Sequence, residues 1–193
     1  LINKYNLLWK KIEKKFFNKK FQFIHNFDDS SSRVYFCDNI IFKISLKNVR
    51  SINKSKLNNL FSEYKILKKL KDLKFTPQVK SYSSFKEFEV LRLYRINGHE
   101  LKFSELINPI IFGRLIKCIY ILAKKGISHN DLLPRNIIVS KNNKISLIDF
   151  DQASSENFFK AILMSYFFIF FRQKKYYKNN LLNMFKYFLT KKI

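Results

Sequence analysis

The first twenty residues interleave apolar and basic positions. Leu1, Tyr5, Leu8, Trp9, Ile12 and Phe16 recur every three or four residues with Lys4, Lys10, Lys11, Lys14 and Lys15 between them, which predicts a basic amphipathic helix. From Gln22 the period shortens. Gln22 to Phe27, Arg33 to Phe36 and Ile40 to Ser45 are short runs rich in Phe, Ile, Val and Tyr, parted by the turn-like pieces DDSSS and CDN, and they read as antiparallel strands. Helical spacing returns between Ile52 and Leu70, through Leu57, Leu60, Phe61, Tyr64, Leu67 and Leu70, with Pro77 beyond its end. Strand-like runs Gln78 to Ser83 and Phe88 to Leu93 follow. The turn signal Asn97-Gly98 then divides the chain into lobes 1–97 and 98–193.

Past that boundary, Pro109 opens a helical run through Ile111, Leu115, Ile119 and Leu122, and Gly126 stands where a helix cap is expected. Strands Ile137 to Val139 and Ile145 to Ile148 flank a turn at Lys141 to Lys144. From Ser154 onward the pattern is helical, and the aromatic-rich stretch Phe158 to Tyr177 reads as core. Together these elements predict an α+β fold.

With 193 residues and 47% hydrophobic composition the chain can bury a sizeable core, which argues against disorder. Thirty-eight Lys+Arg against 14 Asp+Glu give a net charge of +24. Only seven of those cations are Arg and 19 residues are Asn, so Lys, Asn, Ile and Phe are inflated together, as A+T-rich coding would do without a selected partner. The ends are the most basic parts: residues 157–193 hold eight Lys+Arg and no acid, and residues 1–20 hold seven against one Glu. Peripheral contact with an anionic membrane surface is one expectation, since each lysine near such a leaflet contributes about 1 kcal/mol. No RNA- or DNA-binding module is recognisable, so nucleic acid is not the expected partner.

Cys37 and Cys118 cannot form a multi-bridge framework and no CxxC or His/Cys cluster suggests zinc, which fits a reducing cytoplasm. The longest apolar stretch, Phe158 to Phe171, has 14 residues and contains Lys160, short of the roughly 20 that span a bilayer. The opening residues lack the continuous apolar region of a secretory signal. A cytoplasmic protein is therefore expected, with peripheral placement at the inner face of the membrane as a further expectation.

Candidate chemistry is concentrated in His129-Asn-Asp131-Leu-Leu-Pro-Arg135-Asn136 and, after a hairpin, Ile148-Asp149-Phe150-Asp151. At this composition an accidental H-x-D-x4-N is expected about 0.01 times. Phosphoryl transfer needs an aligned hydroxyl and neutralised phosphate oxygens more than covalent catalysis. Asp131 suits the acceptor proton, while Asn136 and Asp149 offer hard oxygen ligands for Mg²⁺. His129 is read as a loop support through hydrogen bonds, Arg135 as either a substrate contact or a solvated side chain, and His25 and His99 as ordinary.

These two motifs resemble those of the protein-kinase-like phosphotransferase superfamily, over a stretch from about Arg33 to Asp151. D-F-D with a short C-terminal half is similar to lipopolysaccharide-core sugar kinases, RIO-type kinases, and choline and aminoglycoside phosphotransferases. The resemblance implies a bilobal fold: an antiparallel sheet with one helix in the N-lobe, then a small, mostly helical C-lobe. It implies ATP and Mg²⁺, with Lys43 on the third strand gripping the phosphates and Glu63 on the helix pairing with it. It also implies an adenine-binding hinge over Leu93 to Leu101, including Leu93 and Arg95. Ser31 and Ser32 lie where a Gly-rich loop would cover the phosphates.

The chain departs from the family pattern in several places. No glycine lies between Asp28 and Phe42, Leu133 replaces a lysine, Asp151 replaces the glycine of D-F-G, and no A-P-E follows. Asp151 is open to two roles, metal binding or capping of the next helix. The implied activity is transfer of the ATP γ-phosphoryl group to a hydroxyl, foremost on a bacterial envelope sugar. A RIO-like serine/threonine protein kinase is the alternative enzyme; a non-catalytic pseudokinase or basic binding module is the alternative of another class.

Overall fold

A computed structural model describes residues 9–14, 22–26, 32–47 and 60–170. The rest of the expected N-terminal helix, residues 52–59 of the second helix, Ser31 and residues 171–193 lie outside that set. The described residues form an α+β structure of antiparallel sheets and helices. The chain divides into two compact units, Leu1–Lys68 with Gln78–Arg95, and Lys69–Pro77 with Ile96–Ile193.

The first unit is built on a five-stranded sheet. Strands β1 (Gln22–Asn26), β2 (Ser32–Cys37), β3 (Ile40–Leu46), β4 (Val79–Ser84) and β5 (Phe88–Tyr94) lie in the order β1-β2-β3-β5-β4, every pair antiparallel. The β2–β3 hairpin closes through Asp38 and Asn39, with Asp38 left-handed at φ 55°, a conformation Asp tolerates better than most residues.

Side chains alternate along β3, so Phe42, Ile44 and Leu46 face one side and Ile41, Lys43 and Ser45 the other. On the first side Ile44 and Leu46 join Tyr35, Phe88 and Val90 in a core completed by Trp9 and Ile12 from helix α1, residues 9–14. Glu13 secures that helix, accepting from Arg33 at 2.6 Å and from the Tyr35 hydroxyl at 2.8 Å, while the Arg33 guanidinium lies 4.5 Å from the Trp9 ring centroid. The apolar side of residues 9–14 thus faces the sheet.

Helix α2 (Leu60–Lys69) buries Leu60, Glu63, Ile66 and Leu67, one stripe at three-and-four spacing. Its Phe61 and Tyr64 rings pack on Tyr82 of β4, with centroids 5.4 and 5.0 Å away.

The second unit combines two small antiparallel sheets with two helices. Strands β6 (His99–Glu100), β8 (Ile137–Ser140) and β9 (Lys144–Leu147) form one sheet; β7 (Ile127–Ser128) pairs with β10 (Ser154–Ser155) in the other. Helix α3 (Pro109–Lys124) packs against β7, β9 and α4 (Phe158–Phe170). Asn108 caps α3 by accepting from Ile110 N at 2.9 Å, Pro109 opens it, and Gly126 follows it at φ 68°.

Three details differ from the sequence expectations. Segment 69–77 belongs to the second unit, where Phe75 O accepts from Leu147 N at 2.8 Å. Ser154 and Ser155 are a strand rather than the start of a helix, because they pair with Ser128 and Ile127. Helix α4 is also not wholly core: Ala161 and Ser165 are buried, but Phe159 is 83% and Leu163 69% exposed. Among the described residues no helix is long and apolar enough to cross a membrane.

Candidate functional site

In the first unit, alternation along β3 turns Lys43 toward the face where Val34 and Leu91 are its register partners. Glu63 lies three residues after Leu60 and four before Leu67, so the helical period turns it inward with them. The Lys43 Nζ donates to both Glu63 carboxylate oxygens, at 2.8 and 3.0 Å. The Glu63 side chain is fully buried and that of Lys43 is 12% exposed. Such a pair holds an ammonium in a fixed position, and removal of either partner leaves a charge buried without its counter-ion.

The other residues expected at the nucleotide have different engagements. Ser32 is buried and its hydroxyl donates to Ser45 Oγ at 3.1 Å. Leu93 is buried within β5 between Ile41 of β3 and Val79 of β4. The Arg95 guanidinium lies 4.9 Å from the Phe36 ring centroid, and its amide donates to Asn39 O. Ser31 lies outside the described residues.

In the second unit, the H-N-D-L-L-P-R-N segment is held from several directions. His129 is fully buried, its Nε2 2.9 Å from Ile148 O and its ring 4.5 Å from that of Phe150, in keeping with a supporting role. Leu132 is fully buried and anchors the loop, whereas Arg135 is exposed. Asn136 Nδ2 donates to Asp131 O at 2.8 Å and to Asp131 Oδ2 at 2.9 Å. The Asn136 carbonyl accepts from Ile148 N at 2.9 Å, just beyond the Ile137–Leu147 pair of the β8–β9 hairpin. Asn136 and Asp149 therefore leave the same end of one hairpin.

Asp149 has left-handed backbone angles, φ 66° and ψ 68°. Asp bears that conformation with less penalty than most residues, and departures of this kind are common at functional positions. Asn130, at φ 61°, is a positioning residue that motif reading passed over: its Nδ2 donates to Gln152 O at 3.1 Å and Ser154 Oγ at 2.8 Å, and its Oδ1 accepts from Ser128 Oγ at 2.5 Å. The placement of Asn between His and Asp was the available signal.

Of the two roles open to Asp151, helix capping is overturned: the cap of α4 is Asn157, whose Oδ1 accepts from Lys160 N at 2.9 Å. Asp151 instead lies in a 3₁₀ turn and accepts from Gln152 Nε2 at 3.0 Å.

Among the described residues no group of three or more His, Cys, Asp or Glu side chains is arranged to hold a metal. A cation here would rest on two protein oxygens, the Asp149 carboxylate and the Asn136 amide oxygen, whose Nδ2 is committed to Asp131. That hard, sparse donor set suits Mg²⁺, which keeps waters and phosphate oxygens in its shell, better than zinc or calcium. No protein-family model and no curated protein matches this chain. The functional assignment consequently rests on the residues themselves.

Proposed function

We propose that the protein is a small phosphotransferase of the protein-kinase-like type, its two units corresponding to the nucleotide-binding and catalytic lobes of that fold. The observation that carries this reading is the Lys43–Glu63 ion pair, made by residues twenty positions apart on a strand and a helix. It is joined by a second one, the Asp131–Asn136 bond at the hairpin end from which Asp149 emerges.

Each residue then has a defined task. Lys43, oriented by Glu63, grips the α- and β-phosphates of ATP. Asp131, held by Asn136, receives the proton of the acceptor hydroxyl as its oxygen bonds to the γ-phosphorus and the bond to the departing ADP oxygen breaks. Asn136 and Asp149 would hold Mg²⁺, which when bound would neutralise charge on the phosphate oxygens. Asn130 and His129 keep the loop in register.

The acceptor we favour is a hydroxyl of a bacterial envelope sugar, with cytoplasmic chemistry near the membrane; a RIO-like protein kinase is the nearest rival. Transfer of γ-labelled phosphate from Mg-ATP to a sugar-lipid acceptor, to choline and to the protein itself separates these possibilities. Labelling of the sugar lipid, reduced about 10²-fold or more by Asp131→Asn, is the expected result. Absence of labelling on every acceptor would favour a non-catalytic module.

A further inference from the structure

We propose that helices α3 and α4 of the second unit form a docking face for an anionic lipid bilayer. The inward sides of both helices are already filled: Leu115, Cys118, Ile119 and Leu122 of α3 and Ala161 and Ser165 of α4 are buried. Their other sides are unexpectedly apolar. Ile110 is 54% exposed, Tyr120 44%, Phe159 83% and Leu163 69%. Ile110, Gly113, Lys117 and Tyr120 follow one stripe of α3, and a shallow groove lined by Gly113, Ile116, Lys117, Tyr120 and Ile162 joins that stripe to α4. An apolar patch continued across two elements marks an interaction site, where scattered single residues would not.

Charge identifies the occupant. Residues 106–130 contain no Asp or Glu and four Lys or Arg; residues 157–193 contain none and eight. Arg114, Lys117, Lys124, Lys125 and Lys160 are all exposed. Lys124 lies 4.8 Å from the Tyr120 ring centroid, and Lys160 pairs with Glu156, which precedes α4. Apolar side chains rimmed by lysines match a surface with an acyl layer beneath anionic headgroups. A second copy of the chain would set one +24 molecule against another. A nucleic acid would leave Ile110 and Leu163 in water. The described residues of the N-terminal helix, 9–14, turn Trp9 and Ile12 into the core of the first unit.

The inference does not depend on the phosphotransferase reading. Sedimentation of the full chain with phosphatidylglycerol–phosphatidylcholine vesicles and with phosphatidylcholine vesicles alone tests it. Binding should require the anionic lipid. It should weaken about tenfold or more in the Phe159→Ser/Leu163→Ser variant and likewise in Lys117→Glu/Lys124→Glu, while Asp131→Asn binds as the parent protein does. Equal binding to neutral vesicles, no binding at all, or binding unaltered in both double variants overturns the proposal. So does self-association without lipid that the serine variant abolishes.

Discussion

The two units immobilise their polar groups by different physical means. In the first, position comes from a side-chain ion pair: the sheet supplies Lys43, the helix supplies Glu63, and neither charge is easily buried without the other. In the second, position comes from the backbone. Asn130 and Asp149 hold left-handed conformations, and Asn130, Asn136 and His129 tie their side chains to main-chain carbonyls. A site made by charge fails when either partner is lost, whereas a site made by chain conformation can lose one carboxylate's charge and keep its shape.

The largest effect that can break this contrast lies at Glu63. Glu63→Ala should destabilise the protein by about 3–5 kcal/mol in urea unfolding, because it strands the Lys43 ammonium. A Lys43→Met/Glu63→Leu variant should recover most of that stability, and a single variant costing under about 1 kcal/mol would refute the charge-based account. By contrast, Asp149→Asn should leave unfolding nearly unchanged.

A middle-sized effect is expected at Asn130. Asn130→Ala removes three hydrogen bonds and leaves the hydroxyl of buried Ser128 without this acceptor, so a loss of about 1–3 kcal/mol is expected by the same measurement. Asn130→Asp keeps the left-handed tolerance but loses both Nδ2 donations, and should also destabilise.

Acid should weaken the second unit modestly. Burial raises the Glu105 carboxyl, but donation from the Lys102 amide and from His99 outweighs it and holds the group below its usual range. Hydrogen bonds from Lys160 and Ser154 do the same for half-buried Glu156. A carboxylate depressed in the folded state stabilises above its unfolded value and loses that contribution as pH falls through the folded one. Melting temperature should thus decline on acidification below about pH 4.5, and Glu105→Gln should flatten the decline.

The smallest effect concerns the thiols. Burial pushes the Cys118 thiol up to about 12, so at neutral pH a thiol reagent should modify partly exposed Cys37 and reach Cys118 only on unfolding.

Much of this was legible because it depends on local period. Short runs rich in Phe, Ile, Val and Tyr marked β2, β3 and β5, the Leu60–Leu67 spacing turned Glu63 inward, and the H-x-D-x4-N spacing singled out Asp131 and Asn136. What could not be read depends on distant partners. The strand at Ser154–Ser155 exists only through β7, segment 69–77 joins the second unit through a bond to β9, and the Ser32 hydroxyl turns to Ser45 across the sheet. Phe159 and Leu163 misled in the opposite sense: an apolar helix reads as core, and only the packing of Ala161 and Ser165 reveals which side is left outside.

Thermal unfolding with and without Mg-ATP asks whether Lys43 and Asp149 serve one bound nucleotide. At a nucleotide concentration ten times its dissociation constant, the protein should gain about 1.4 kcal/mol, roughly 3–6 °C, and both Lys43→Ala and Asp149→Asn should lose that gain. A folded parent protein indifferent to millimolar Mg-ATP, or variants stabilised as fully as the parent, would contradict the assignment.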